Sequence, residues 1–316
     1  MSILLAMAQR ADSIAILGHI RPDGDCIGSC LAVCNYLREQ YPDKKVQVYL
    51  EKPALKFAYL SYFETISQEL DSRIPYDLCI CLDCSDTSRL GDYACYLEGA
   101  KESICLDHHI TNQGYAQENV IKPDVSSTCE VLYDFMDSEK ISRAVAECLY
   151  TGMIHDTNVF KNSNTTARTM EIAGRMMEKG VNFGTIIDDS FYRKNYVQNQ
   201  LLGRALLESF SLFDGACIFS AIRYKDMEFY GAVSYDLEGI VDQLRITEGV
   251  ECAVFLQELR TCVYKVSMRS NNQVDVSKVA AFFGGGGHVR AAGCTITGNM
   301  HDVINNLSSR IRLQLV

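Results

Sequence analysis

The pattern of apolar and polar positions changes character along the chain. In the first half, short apolar runs alternate with stretches of helical period. Residues 13–19, 45–50, 77–83 and 103–107 read as strands, and 26–40 as a helix. Such alternation predicts α/β architecture, a parallel sheet with helices on both faces. Helical patterns dominate 127–207. The clearest is 165–179, with Asn164 or Thr165 as its N-cap. Beyond about residue 212 strands return, at 216–224, 230–235, 251–259 and 261–268. A helix at 276–283, a glycine run at 284–287, a strand at 294–297 and a last helix from about His301 complete the pattern. The expected organisation is a first domain over 1–190, a helical linker over 191–209 and a smaller α+β domain over 210–316.

The chain has 316 residues, 47% hydrophobic and 22% charged, which suits a soluble globular protein with a sizeable core. No run approaches the roughly 18 continuous apolar residues of a membrane span. The opening MSILLAMAQRADS reads as an amphipathic helix and lacks the basic leader of a signal peptide. A net charge of −10 argues against a protein that coats long duplex nucleic acid. It leaves room for a small anionic substrate, provided bound cations invert the field in a cleft. The 14 cysteines sit in apolar runs and at helical spacing, as buried thiols do. That points to a reducing cytoplasm. Cys81 and Cys84 have CxxC spacing without the second pair of a zinc framework.

Candidate chemistry gathers where the predicted strands end. The first leads into GHIRPDGDCIGS, with His19, Asp23 and Asp25. The third ends at Asp83, and the fourth at Asp107, His108 and His109. A later helix ends in IHDT, presenting Asp156. In open α/β sheets ligands bind beyond the carboxyl ends of the strands, so these groups are expected in one crevice. Aspartates so close would raise one another's pKa, a cost that divalent cations remove. Carboxylates mixed with imidazoles, without thiolates, suit manganese, magnesium or iron better than structural zinc. Two such ions roughly 3.5–4 Å apart are a recurrent device for phosphoryl transfer. His155 and His301 read as structural, although His155 adjoins Asp156 and is placed to orient it. The second domain offers FGGGGHVRAAG, whose glycines admit close approach of a ligand and whose N–H groups can form an anion nest. His288 and Arg290 follow, and Arg269 in SMRS is suited to grip a phosphate.

With GHIRPDGDCIGS, LDCSDTSRLGD, DHH, HDTNVF, SMRS and GGGGHVRAAG in this order, the chain resembles the DHH/DHHA1 phosphoesterases. The resemblance is to their short stand-alone members, the oligoribonucleases (nanoRNases) and pAp phosphatases. It implies that His19 and Asp23 hold one metal ion and Asp25 and His108 another. Asp83 would bridge the two, and Asp156 would complete the second site. Asp107 would orient a ligating histidine, and His109 would face the phosphate. Arg269, Gly286, Gly287 and His288 would hold the substrate, with Arg290 at a variable position of the motif. It further implies a hydrolase with two divalent cations, Mn²⁺ favoured and Mg²⁺ acceptable. The substrate would be short RNA or a small nucleotide such as pAp, gripped in a cleft between the domains, without long duplexes or membranes; a homodimer is left open. The alternative reading is a cyclic-dinucleotide or linear pApA phosphodiesterase. An inorganic pyrophosphatase, a RecJ-like exonuclease and a non-catalytic nucleotide-binding regulator carry less weight. One departure stands out. Many members read DTG followed by an aromatic residue and Arg, whereas this chain has Asp156, Thr157, Asn158, Val159, Phe160 and Lys161. The change bears on the pocket's shape, and so on substrate choice.

Overall fold

The computed structural model describes residues 2–71 and 75–315. The chain divides into two compact units, Met1–Arg193 and Lys194–Val316.

In the first unit, α1 (Ile3–Arg10) precedes β1 (Ser13–Leu17), α2 (Gly24–Gln40) and β2 (Lys45–Tyr49). β3 (Leu78–Leu82), α3 (Ala94–Gly99), β4 (Glu102–Asp107) and β5 (Glu118–Ile121) follow. The strands form one parallel sheet in the order β2-β1-β3-β4-β5. Strands buried on both faces read as continuous apolar runs, which is why β1 and β3 were legible. Ile14, Ile16, Ile80 and Ile104 pack on one face against α2 and later helices. Ala15, Leu17, Cys79, Cys81 and Cys105 pack on the other against Tyr49, Tyr76, Tyr93 and Tyr96. The Tyr49 and Tyr76 hydroxyls meet at 2.7 Å, which satisfies polar tips inside an apolar cluster. β5 was not foreseen. Its residues are half-buried or exposed, as suits an edge strand, so no apolar run marks it.

The unit continues through α4 (Thr128–Tyr133), α5 (Arg143–Asp156), α6 (Ala167–Glu178) and α7 (Phe183–Ile187). The N-cap of α6 is Thr166, in a capping box with Thr169, rather than Asn164 or Thr165. Asn164 instead donates to the carbonyls of Ser126 and Asp156.

The second unit contains α8 (Tyr196–Leu207), β6 (Phe210–Leu212), β7 (Cys217–Ile222), α9 (Tyr224–Tyr230) and α10 (Ile240–Arg245). Then come β8 (Cys252–Arg260), β9 (Val263–Ser270), α11 (Val276–Phe282), β10 (Gly286–His288), β11 (Ala291–Thr297) and α12 (Met300–Arg312). The mixed sheet runs β10-β11-β9-β8-β7-β6. The helix expected as a linker, α8, buries Leu201 and Ala205 in this unit's core beside Ile218, Ile222 and Leu244. Residues 230–235 are not a strand. Tyr230 ends α9, Gly231 caps it in the left-handed region, and a 3₁₀ turn at Ser234–Leu237 follows. Val233 and Tyr235 are exposed there, so their apolar character did not mark a buried strand. Val266, Met268 and Cys294 face α11 and α12. The opposite face of β9 and β11 stays open. Lys265, Ser267, Arg269, Gly293 and Thr295 line a cavity there of about 670 Å³.

All 14 cysteines are free, and all but Cys95 and Cys262 are buried. Among the described residues no helix is long and apolar enough to cross a membrane.

Candidate metal centre

The carboxyl ends of β1, β3 and β4 deliver most of the site. Just beyond β1, His19 donates from Nδ1 to the Ile20 carbonyl at 2.8 Å. That bond commits Nδ1 as a donor and leaves Nε2, once its proton is displaced, as the nitrogen that would bind a metal. Nε2 lies 3.6 Å from Asp23 Oδ1 and 3.6 Å from Asp83 Oδ2. Asp23 is the N-cap of α2 and accepts from the Asp25 and Cys26 N–H groups. Asp25, in the first turn of α2, is fully buried. Its two oxygens accept from the backbone N–H groups of Thr128, at 2.6 Å, and Cys129, at 3.0 Å. Gly152 of α5 makes room for it, because a Cβ there would lie 2.4 Å from Asp25 Oδ1.

Asp83 follows β3 with a left-handed backbone, φ 54°. Its second oxygen, Oδ1, lies 3.7 Å from His108 Nε2 and 3.7 Å from His109 Nδ1. His108 Nε2 also reaches Asp156 Oδ2 at 3.0 Å, at the end of α5. The Asp83 carboxylate therefore turns one oxygen to the His19 and Asp23 side and the other to the His108 side.

Among the described residues no lysine or arginine pairs with Asp25, Asp83 or Asp156; imidazoles face them instead. Burial opposes a charge on His19, yet Asp23 and Asp83 lift its pKa to about 11. Burial likewise opposes a charge on His108, and Asp156, Asp25 and Asp83 lift it to about 10. Burial, then Asp83 and Asp156, push Asp25 well above the carboxylate range. Burial also raises Asp156, against the hydrogen bond from His108. Burial would raise Asp23 too, but His19 and the α2 N–H groups outweigh it and hold Asp23 at about 2. Protons on imidazoles thus supply positive charge that the carboxylates demand.

Metal ions fit the same demand. Donor atoms of His19, Cys26 and Asp83, of Asp83, His108 and His109, and of Asp25, His108 and Asp156 form three mutual groups within 4.8 Å. Imidazole nitrogen with carboxylate oxygen suits a hard or borderline divalent cation. Burial pushes the Cys26 thiol well above the ordinary pKa, and Sγ faces the His19 carbonyl at 3.9 Å.

Asp107 stands behind this layer. It accepts from the His108 N–H at 2.9 Å, from His109 Nδ1 at 2.7 Å and from Asn112 Nδ2 at 2.7 Å. The ring it orients is that of His109, the expected phosphate-facing residue, and not that of His108. His109 Nε2 is left free on a side chain that is 32% exposed. The Asp107 hydrogen bond raises the His109 pKa, against burial. His155 does not orient Asp156. Its ring stacks on Phe191 at 4.2 Å and meets Phe57 edge-on, and burial holds its pKa at about 3. His301 is exposed on α12, beside Asn305.

The departure after Asp156 has a backbone cause. Asn158, Val159 and Phe160 have φ of 49°, 56° and 61°, all left-handed. Asn is among the non-glycine residues that tolerate this region best, so it fits a position where the family pattern expects Gly.

In the second unit, Arg269 lines the open cavity and is aimed by Asp242 Oδ1 at 3.1 Å and the Met268 carbonyl at 3.1 Å. Gly286 and Gly287 are not a loose nest. With His288 they form β10, paired to β11, and a Cβ on Gly287 would come within 2.5 Å of the Ala291 carbonyl oxygen. His288 is exposed. The Arg290 guanidinium is engaged elsewhere, donating to the Val274 and Asn272 carbonyls. Sequence reasoning missed Lys265 and Ser267, which share a strand face with Arg269 by simple alternation. It also missed Thr128, whose hydroxyl donates to Asp83 Oδ1 at 3.1 Å.

Comparison with known proteins identifies the two domains. Residues 13–153 match the DHH family N-terminal domain, and residues 226–314 match the DHHA1 domain. The chain is similar to the bifunctional oligoribonuclease and PAP phosphatase NrnA of Thermus thermophilus, with 29% identity over 90% of this chain and 84% of that one. It is similar to the Bacillus subtilis protein of the same name, with 27% identity over 90% of each. Among solved structures, an exopolyphosphatase-related protein from Bacteroides fragilis superposes with a TM-score of 0.86. It is 25% identical over 98% of this chain and 94% of that one. Ordered motifs, a five-stranded parallel sheet with carboxylates and imidazoles at its carboxyl ends, and both matched domains place the chain in the DHH family, with a DHHA1 domain as its second unit.

Proposed function

We propose that the chain hydrolyses phosphate esters of short oligoribonucleotides and of pAp, using two divalent cations, Mn²⁺ by preference. The observation that carries this reading is the Asp83 carboxylate, with one oxygen 3.6 Å from His19 and the other 3.7 Å from His108. His19 and Asp23 would hold one ion, Asp25, His108 and Asp156 the other, and Asp83 both. Two such ions, when bound, lower the pKa of an attacking water and neutralise charge on the phosphate.

The chain's own residues supply the rest. Asp107 keeps the Nδ1 proton of His109 engaged, so Nε2 projects outward. The Asp107 hydrogen bond raises the pKa of that ring, which favours its holding a proton for the leaving oxygen. Arg269, held by Asp242, offers a charge-assisted grip for a phosphate, and the glycines of β10 let a ligand approach the backbone. The names of the Thermus and Bacillus relatives support the choice of substrate. Fourteen free cysteines fit a reducing cytoplasm.

The test is a set of initial rates with Mn²⁺, and after exhaustive chelation, on an RNA length series, pAp, linear pApA and cyclic di-AMP. RNA of about two to five nucleotides and pAp are expected to be cleaved fastest, and only with metal, because charge-assisted bonds to a few phosphates carry the recognition. Long strands degraded as fast as dinucleotides would contradict the size preference. Cyclic di-AMP cleaved fastest of all would replace the reading with a signalling-nucleotide phosphodiesterase.

A further inference from the structure

Residues Ser126, Ser127 and Thr128 belong to none of the motifs read from the sequence, yet their turn reaches three of the six proposed ligands. The Thr128 and Cys129 N–H groups bind the two oxygens of Asp25. The Thr128 hydroxyl binds Asp83 Oδ1 at 3.1 Å. Asn164 joins the Ser126 carbonyl, at 3.0 Å, to the carbonyl of Asp156, at 3.3 Å. All three residues of the turn are fully buried.

Glu130 holds this turn in place. The residue is 3% exposed. A single oxygen, Oε2, accepts from the Ser126 N–H at 3.2 Å, from the Ser126 hydroxyl, and from the Thr169 hydroxyl of α6 at 2.8 Å. Ser127 in turn accepts from the Glu130 N–H at 3.1 Å. Among the described residues no lysine, arginine or histidine pairs with Glu130. Burying a carboxylate among neutral donors is costly. What it provides is an acceptor with no competing donor, able to take three donors from one side.

We propose that Glu130 is a positioning residue for the metal centre. It sets the Ser126–Thr128 turn so that the Thr128 hydroxyl occupies one lone pair of Asp83 and two backbone N–H groups occupy one lone pair on each oxygen of Asp25. The remaining lone pairs of both aspartates are thereby aimed at the cations. Groups behind a ligand that fix its orientation typically govern metal affinity. This inference rests on the metal-centre reading above, but not on the choice of substrate.

The experiment is Mn²⁺ titration calorimetry on the metal-stripped full-length chain, with circular dichroism of each sample. Glu130→Gln keeps the shape but places an amide N–H₂ among donors. Thr128→Val removes only the hydroxyl, and Thr128→Ser restores it. Glu130→Gln and Thr128→Val are expected to weaken Mn²⁺ binding roughly 10–100-fold, with Thr128→Ser within about threefold of the parent. At saturating metal, KM for a dinucleotide should not move. Native circular dichroism with Mn²⁺ affinity within about threefold of the parent, in either Glu130→Gln or Thr128→Val, would overturn the proposal. If Glu130→Gln does not fold, Thr128→Val decides by the same criterion. If the parent binds Mn²⁺ and the variants show these losses, yet the parent cleaves no phosphate ester, the inference stands and the proposed function falls. A parent that binds no Mn²⁺ removes both.

Discussion

Two aspartates flank strand β3, and their surroundings differ in an instructive way. Asp77, before the strand, has its charge answered by the protein. Lys101 Nζ lies 2.7 Å from one oxygen, and the N–H groups of Asp12 and Ser13 and the Ser13 hydroxyl bind the other. Those partners hold its pKa well below the carboxylate range. Asp83, after the strand, is 2% exposed and meets three imidazoles and one hydroxyl, with no lysine or arginine among the described residues. One end of the sheet is electrostatically closed, and the other is left for cations to complete.

The backbone follows the same division. Six described non-glycine residues of the first unit have positive φ. One, Tyr62, lies apart; the others are Arg21, Asp83, Asn158, Val159 and Phe160, all in the segments that carry the proposed ligands. Strained conformations persist where the surrounding structure over-determines them, as at functional sites. No residue next to Asp77 is in this class.

The strongest way to break the contrast is Asp83→Asn. Losing a charge shared by both ions should lower kcat by about three orders of magnitude, the rate equivalent of the several kcal/mol a bound metal contributes. The melting temperature of the metal-free protein should fall at neutral pH, because the protonated His19 and His108 lose a counter-charge that lifts their pKa. Steady-state rates and thermal unfolding check both parts. A smaller effect belongs to the second unit. Arg269→Ala should raise KM about 10-fold or more with little change in kcat, if its grip is equal in ground and transition states.

Protons and cations should compete at the carboxyl end only. His19 and His108 have pKa values lifted to about 11 and about 10, so Mn²⁺ must displace protons. Affinity should therefore rise with pH, about 10-fold per unit for each proton released, and calorimetry in buffers of different ionisation enthalpy would count them. The same shifts stabilise the metal-free fold. Because these pKa values are raised, that stabilisation is fully present below the ordinary imidazole pKa of about 6.5 and is lost as pH rises through about 10–11. Bound Mn²⁺ should abolish this alkaline loss.

Backbone strain is tested next. Asn158→Ala should destabilise the protein by about 1 kcal/mol, while Asn158→Gly should not, as urea unfolding would show. The smallest effect is expected at the closed end. Asp77→Asn should lower the melting temperature by roughly 1–3 °C and leave turnover unchanged. Asp77 has a lowered pKa, so its contribution is present above the ordinary carboxylate range and lost as pH falls through it. Asp77→Asn should remove that acid-sensitive part of the unfolding profile.

This division also explains what the sequence made legible. β1, β3 and β4 are buried runs that lead into ionisable residues, so both the strands and the aspartates and histidines at their ends could be read in order. β5 is a polar edge, and α9 and α10 are short helices whose period is hard to separate from a strand's. Thr128 lies 45 residues from Asp83 and 103 from Asp25, and hydroxyl and backbone donors at such separations leave no local pattern. Arg290 shows the reverse case. A cation beside a glycine motif suggests a ligand contact, whereas its guanidinium is occupied by backbone carbonyls.

The most direct measurement is anomalous diffraction at the manganese edge from crystals grown with Mn²⁺. Two peaks roughly 3.5–4 Å apart are expected, one within ligand distance of each Asp83 oxygen, with His19 and Asp23 beside one peak and Asp25, His108 and Asp156 beside the other. A single peak that one Asp83 oxygen alone approaches, or no peak between these side chains at saturating Mn²⁺, would contradict a shared two-ion centre.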